Sequence, residues 1–472
     1  MKVSLIFTPI EINPHNKIVA FRDERIGFVP PVSLLYVAAI MEREGVEVDL
    51  IDMEAENLSY VETLERIKSF APDLLGFTVT TWSFHSVLGW IKKFKADTAL
   101  SILAGGEHIR LYPNETMSYD AIDFCIVGEA ELPLPEFIKA FREGRVFEGI
   151  RSIGYKKDGK VVIDRTLRFV DDINSVPFPA RHLIRNEKYE NILSRKKNFT
   201  ALISSRGCPF SCAFCSHNQL KYRARSPENV VDEIELNLNK HGIRDFDIYD
   251  STFTANEQRV ISICEEICRR KLDVGFTVRS RVDVVTKTMI NSLKSAGCHT
   301  ILYGIESSNP DILKMMRKGI SLDQVMNIIS YTKQCGIKTL GFFLFGFPGE
   351  TRQTIEDTIR FSLILPLDYA LFSILLPMPD TEIYAYYQEH GLGDYWAEYT
   401  LDESKNDLIE FIGTDVSRAE TSLLALKAYK RFYFRPSVIW NRMKTLSSLG
   451  ELRRLVVGAL GIFVTSGDTK SN

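Results

Sequence analysis

Ser205-Arg-Gly-Cys-Pro-Phe-Ser-Cys-Ala-Phe-Cys-Ser216 places Cys208, Cys212 and Cys215 in the spacing C-x3-C-x2-C. Three thiolates in one short loop suit a [4Fe–4S] cluster, which normally takes four, so one iron is left open to a substrate-like molecule. Zinc usually wants four protein ligands, often as paired C-x2-C, and no matching second pair follows. A disulfide cannot account for three cysteines.

Outward from this loop, short apolar runs alternate with helical segments. Strands are expected at 200–204, 245–249, 275–278, 300–304, 338–345 and 370–374, with helices between them. Six such units predict a partial (β/α)6 TIM-type barrel over 196–385, with chemistry at the strand C-termini. The cysteine loop directly follows the first strand. Residues 1–145 show the same alternation, with runs at Val3–Phe7, Val46–Ile51, Leu74–Val79, Leu100–Leu103 and Ile122–Val127. That pattern predicts a doubly wound, Rossmann-like parallel sheet, which binds ligands in the crevice beyond its strand ends. Residues 146–195, with a Lys-Lys-Asp-Gly hairpin candidate, read as a connector, and 386–472 as a mainly helical region.

Composition narrows the class. The chain has 472 residues and a net charge of −3, so global electrostatics give no case for nucleic acid. No run of about 18 apolar residues predicts a membrane-spanning helix. The eight cysteines lack a secreted disulfide pattern, so a reducing cytoplasm is expected. Beyond the loop, Cys125, Cys264, Cys268, Cys298 and Cys335 are expected to pack as small hydrophobes. Residues 421–456 carry eight basic residues against Glu451 alone, interleaved with aromatics. Such a segment is either a solvated, packed helical face or a peripheral contact with anionic membrane.

The loop, with Phe214 just before its last cysteine, resembles that of the radical S-adenosylmethionine (SAM) superfamily. The resemblance spans roughly residues 196–380 and implies a [4Fe–4S] cluster on Cys208, Cys212 and Cys215, with SAM chelating the open iron. It also implies an electron donor such as flavodoxin or ferredoxin. Motifs at successive strand ends follow in the family's order. Asp250 and Ser251 stand where the methionyl amine is met, and Arg279 or Arg281 where a guanidinium would grip the SAM carboxylate. Glu306, with Ser307 second, stands where the ribose is reached, and Gly346 where backbone approaches adenine.

The N-terminal region resembles the cobalamin-binding domain fused ahead of the barrel in one radical SAM class. The strand-end pieces are Gly76-Phe-Thr-Val-Thr-Thr81, Ala104-Gly-Gly-Glu-His108 and Val127-Gly-Glu-Ala-Glu131. They imply cobalamin contacts at Thr80, Thr81, Gly105, Gly106, His108, Gly128 and Glu129. Ala130 departs from a glycine common in that motif, and the D-x-H-x-x-G cobalt-ligand pattern is absent, since His85 has no aspartate two residues before it. Many members of the class lack that pattern.

The combination implies methylation of an unactivated carbon of a small, apolar substrate, lipid or tetrapyrrole-like, through a 5′-deoxyadenosyl radical. The same architecture resembles anaerobic magnesium-protoporphyrin monomethyl ester cyclases and lipid-pathway relatives, so cyclisation without methyl transfer is the alternative. A cobalamin or redox sensor is a third reading, disfavoured by the intact cysteine triad.

Overall fold

The computed structural model describes residues 1–10, 27–196, 198–216, 220–405 and 407–436. The chain forms two compact units. Unit 1 comprises residues 1–11, Phe28–Tyr189 and Leu392–Asp407; unit 2 holds the remainder.

Unit 1 is built on β1 (Lys2–Phe7), β2 (Glu47–Asp52), β3 (Leu74–Thr78), β4 (Ser101–Gly105) and β5 (Phe124–Ile126). These strands run parallel in the order β2-β1-β3-β4-β5, the doubly wound arrangement whose order reverses between β1 and β3. Helices Val32–Arg43, Tyr60–Phe70, Phe84–Thr98 and Pro133–Glu143 join them. Ser59 starts the second with a reciprocal bond to Glu62, which satisfies two of the donors a helix start leaves open. The Lys-Lys-Asp-Gly turn closes the hairpin β6 (Ile153–Lys157) and β7 (Lys160–Ile163). That hairpin does not stand apart as part of a connector: it adds to β5 antiparallel and makes the sheet seven-stranded.

Unit 2 contains β8 (Phe199–Leu202), a ribbon of β9 (Ser205–Arg206) and β10 (Arg223–Ala224), then β11 (Asp245–Ile248), β12 (Gly275–Arg281), β13 (Cys298–Glu306), β14 (Lys338–Phe345) and β15 (Tyr369–Ile374). All six long strands are parallel and lie in chain order from β8 to β15. β8 and β15 do not pair with each other, so the barrel is partial, as expected. Its crossover helices begin on side-chain caps: Ser226, Asn256, Thr286, Ser321 and Thr351 each accept a backbone N–H of the first turn. The core is apolar and aromatic, with Phe343 and Phe345 stacking on Phe372 at ring distances of 5.2 and 5.9 Å. The helix Arg418–Tyr433 covers β15, and its Tyr429 ring meets Phe372 edge-on.

One expectation for the C-terminal region changes. Residues 392–407 do not belong to a separate helical region; they pack within unit 1. Within the basic stretch, Phe432 is fully buried, Lys427 pairs with Glu356 at 3.0 Å, and Arg435 donates to the Leu363 carbonyl at 2.7 Å. This part is therefore packed on the barrel. The remainder, including Trp440, Arg442, Lys444, Arg453 and Arg454, lies outside the described residues. No described helix is long and apolar enough to cross a membrane. Cys125, Cys264 and Cys298 are buried as expected, Cys335 is half-buried, and Cys268 is exposed on its helix rather than packed.

Candidate active site

The cysteine loop leaves the sheet after β8 and is cinched at its base. Ser205 and Arg206 pair antiparallel with Ala224 and Arg223. Gly207, at φ +71°, lies so close to the returning chain that a Cβ there would stand 2.5 Å from the Leu220 carbonyl oxygen. Only glycine satisfies both conditions. Beneath it, Asp250 at the end of β11 is buried, and both its oxygens are occupied. Oδ1 accepts the backbone N–H groups of Ser204 (2.7 Å) and Ser205 (3.0 Å), and Oδ2 accepts their hydroxyls at 2.6 and 2.7 Å. Arg259 completes the brace, donating to the Ser204 carbonyl at 2.7 Å.

Within the loop, Cys212 is buried while Cys208 and Cys215 are half-buried. Ala213 donates its N–H to the Met316 carbonyl (3.1 Å) and accepts from the Ile383 N–H (3.0 Å). Arg281 Nη1 donates to Cys212 Sγ at 3.0 Å. Among the described residues no three His, Cys, Asp or Glu side chains converge on one point as a single metal ion requires. A cluster asks for something else: each thiolate takes a different iron at a different corner of the cube. Three cysteines in no disulfide, two of them partly open to solvent, fit that donor set.

The strand-end polar residues are distributed differently from the sequence expectation. Arg279 grips Asp247 with both arms, at 2.7 and 3.0 Å, and lies 3.9 Å over the Tyr249 ring. Arg281 grips Asp283 at 3.0 and 2.7 Å, donates to the Lys318 carbonyl at 2.7 Å, and stacks 4.3 Å over Phe210. Both forks hold protein groups, so neither arginine offers a free fork to a SAM carboxylate. Asp250 likewise has its lone pairs committed to the loop. Ser307 accepts the Asn309 N–H at 3.1 Å and contacts Thr358 at 3.3 Å, fully buried. Ser251 remains half-buried at the β11 terminus. Glu306 sits at a register shift between β13 and β14 with φ +67°, a strained conformation that aims its carboxylate at Lys318 Nζ, 2.8 Å away. Strain of this kind gathers at functional sites.

Gly346, at φ +93°, packs so tightly that a Cβ would stand 2.2 Å from the Phe411 ring. Its N–H and that of Phe347 both donate to Glu350 Oε2, at 2.6 and 3.1 Å. Glu350 Oε1 is buried without a partner. Burial pushes this carboxyl up from the ordinary 4.5 to about 7, although the two N–H bonds pull the other way.

In unit 1 the expected cobalamin residues gather at the strand C-termini. Thr80 contacts Ser83 through its hydroxyl at 2.7 Å, and the Thr81 hydroxyl is buried without a hydrogen-bond partner. A Cβ on Gly105 would meet open space, whereas on Gly106 it would stand 2.5 Å from the Val79 carbonyl. Gly128 has φ +90°, and Glu129 is half-buried beside it. An orphaned hydroxyl after β3 and glycines at the ends of β4 and β5 fit a ligand whose amides and tail need donors and backbone. His108 is the exception. It is fully buried, stacked 4.4 Å from Phe84 and 3.3 Å from the Thr400 hydroxyl. Burial pushes it down to about 3, so it is a neutral histidine packed in the core of unit 1. His85 bonds the Tyr399 carbonyl at 2.5 Å.

Comparison with known proteins decides the family. Residues 202–362 match the model of the radical SAM superfamily, and residues 19–138 match that of the B12 binding domain. The chain is 33% identical to an uncharacterised methyltransferase of Pyrococcus horikoshii, over 93% of this chain and 94% of that protein. This chain belongs to the B12-binding-domain class of the radical SAM superfamily. It is 27% identical to the anaerobic magnesium-protoporphyrin IX monomethyl ester cyclase of Rubrivivax gelatinosus, over 94% of this chain and 80% of the relative. Its fold is similar to the radical SAM methyltransferase TsrM of Kitasatospora setae, solved with cobalamin and a [4Fe–4S] cluster. The TM-score there is 0.67 at 21% identity, covering 83% of this chain and 75% of that one. The family brings a [4Fe–4S] cluster and SAM, and the B12 binding domain brings cobalamin.

Sequence reasoning missed Lys318, Asp283 and Asp247. Asp283 follows Arg281 by two residues and could have been read as its partner; Lys318 lies in a turn with no motif to mark it. Two outcomes follow. Asp250→Ala takes the acceptor from the Ser204 and Ser205 amides and hydroxyls, at about 1–3 kcal/mol for each buried group left unpaired, and iron retained per chain after anaerobic reconstitution should fall well below that of the wild type. For Glu350 the folded state holds a proton that the unfolded chain has released between about pH 4.5 and about 7. Stability therefore falls as pH rises across that window, by roughly 3 kcal/mol at 1.36 kcal/mol per unit. Thermal melts of Glu350→Gln should lack that decline, and an identical slope in both proteins would contradict the assignment.

Proposed function

We propose that this chain methylates an unactivated carbon of a small, apolar molecule. The observation that carries the reading is the three-thiol loop braced at the barrel's strand ends, in one chain with a B12 binding domain. When bound, the cluster with SAM supplies a 5′-deoxyadenosyl radical and the corrinoid supplies a transferable methyl group. Cys208, Cys212 and Cys215 hold the cluster. Ser251 and Glu306 are the residues we assign to SAM, whereas Asp250, Arg279, Arg281, Ser307 and Gly346 hold the frame around it. Thr80, Thr81, Gly105, Gly106, Gly128 and Glu129 are assigned to the corrinoid. Glu306 pairs with the buried Lys318 side chain at 2.8 Å, so it can accept hydroxyl bonds without standing as a lone buried acid. An external one-electron donor of the flavodoxin or ferredoxin kind belongs to the same proposal.

The 27% identity to a tetrapyrrole-ester cyclase across 94% of the chain favours a second reading, ring closure without methyl transfer. Anaerobically purified protein, reconstituted with iron, sulfide and cobalamin, should hold about four irons and a corrinoid. Supplied with lipid or tetrapyrrole candidates, it should form deoxyadenosine together with a methylated product, and Cys212→Ala should form neither. Deoxyadenosine with dehydrogenated or cyclised product and no methyl gain would select the second reading.

We assign the basic stretch beyond residue 436 to a peripheral membrane contact suited to an apolar substrate. Replacing Arg442, Arg453 and Arg454 by glutamate should weaken binding to anionic liposomes; unchanged binding would end that assignment.

A further inference from the structure

The Arg281–Cys212 contact goes beyond holding a cluster. Arg281 is buried, and four of its N–H donors are directed. Nε and Nη2 reach the two Asp283 oxygens, Nη2 also reaches the Lys318 carbonyl, and Nη1 reaches Cys212 Sγ at 3.0 Å. The Phe210 ring closes the remaining face at 4.3 Å. The fork is therefore aimed by its neighbours and cannot swing away from the sulfur without breaking a bidentate pair. The turn that supplies the Lys318 carbonyl is itself tied to the loop, through the Met316 carbonyl that accepts the Ala213 N–H. Asp283 is half-buried, and it touches the guanidinium rather than the thiol.

We propose that Arg281 is a positioning residue that sets the reduction potential of the cluster through Cys212, and that Asp283 opposes it. Hydrogen bonds to cluster sulfurs and local charge both move cluster potentials. A donor bearing positive charge on a ligating sulfur favours the reduced, more negative cluster. A carboxylate behind that donor offsets the charge. The inference rests on the cluster reading and adds a direction of tuning to it.

The two charges make opposite predictions. The potential is read by EPR-monitored redox titration of the reconstituted full chain without substrate, alongside iron per chain. Arg281→Gln removes the positive charge and leaves Asp283 unopposed, so the midpoint should move negative. Asp283→Asn keeps the guanidinium and removes its counter-charge, so the midpoint should move positive. The double variant should return toward the wild type. A general loosening of the loop cannot give two signs. If Arg281→Gln fails to hold iron, Asp283→Asn decides alone: a positive shift supports the proposal, and no shift or a negative one overturns it. Wild-type chain without about four irons would overturn the cluster reading and this inference together. Four irons with unshifted variant potentials would overturn this inference only.

Discussion

A buried carboxylate that no solvent can satisfy governs the geometry of unit 2. Asp250 is 1% exposed, and an unpaired charge in that position would cost several kcal/mol. The cost is met only if Ser204 and Ser205 present two amides and two hydroxyls at once, at 2.6–3.0 Å. That requirement fixes the chain direction three residues before Cys208. The ribbon of β9 and β10 and the glycine at 207 then have one way to close, and the loop returns to the barrel with Ala213 on the Met316 carbonyl. The loop's shape is thus determined from the scaffold side before any cofactor arrives.

Much of this was legible in the chain. The apolar runs of both units became strands within one or two residues of the expected ends, except β12, which runs three residues further to Arg281, because parallel strands buried on both faces must be nearly continuous in hydrophobic residues. β13 is buried along almost its whole length. The cysteine spacing was decisive, since three ligands within eight residues need no long-range information. Glycines at 106, 128 and 346 were also readable, and the structure shows positive φ at each.

What escaped depended on neighbours far away in sequence. Arg279 looked available for a ligand carboxylate, but the register of β11 on β12 sets Thr277 opposite Asp247 and brings that carboxylate within the guanidinium's reach. His108 follows two glycines, yet its surroundings come from Phe84 and Thr400, the latter 292 residues on. The hairpin at 153–163 was recognised as a hairpin, but its attachment to β5 is a pairing that local propensity does not encode. Charge partners and packing partners both require the fold before they can be named, whereas ligand spacing and periodicity do not.

Residues Leu392–Asp407 belong to unit 1 although the chain has left it at Tyr189. Their contributions are interior ones: Trp396, Tyr399 and Thr400 are buried, and the Thr400 carbonyl accepts the Tyr119 hydroxyl at 2.6 Å. Unit 1 is consequently incomplete on the ribosome until roughly 200 further residues have been made, about 10–40 s at roughly 5–20 residues per second. During that interval the aromatic pocket around Phe84, His108 and Tyr119 has no cover. The first unit to be started is thus closed only after most of the second has been made, so a nascent chain truncated before Leu392 would present an unsealed core to chaperones and proteases.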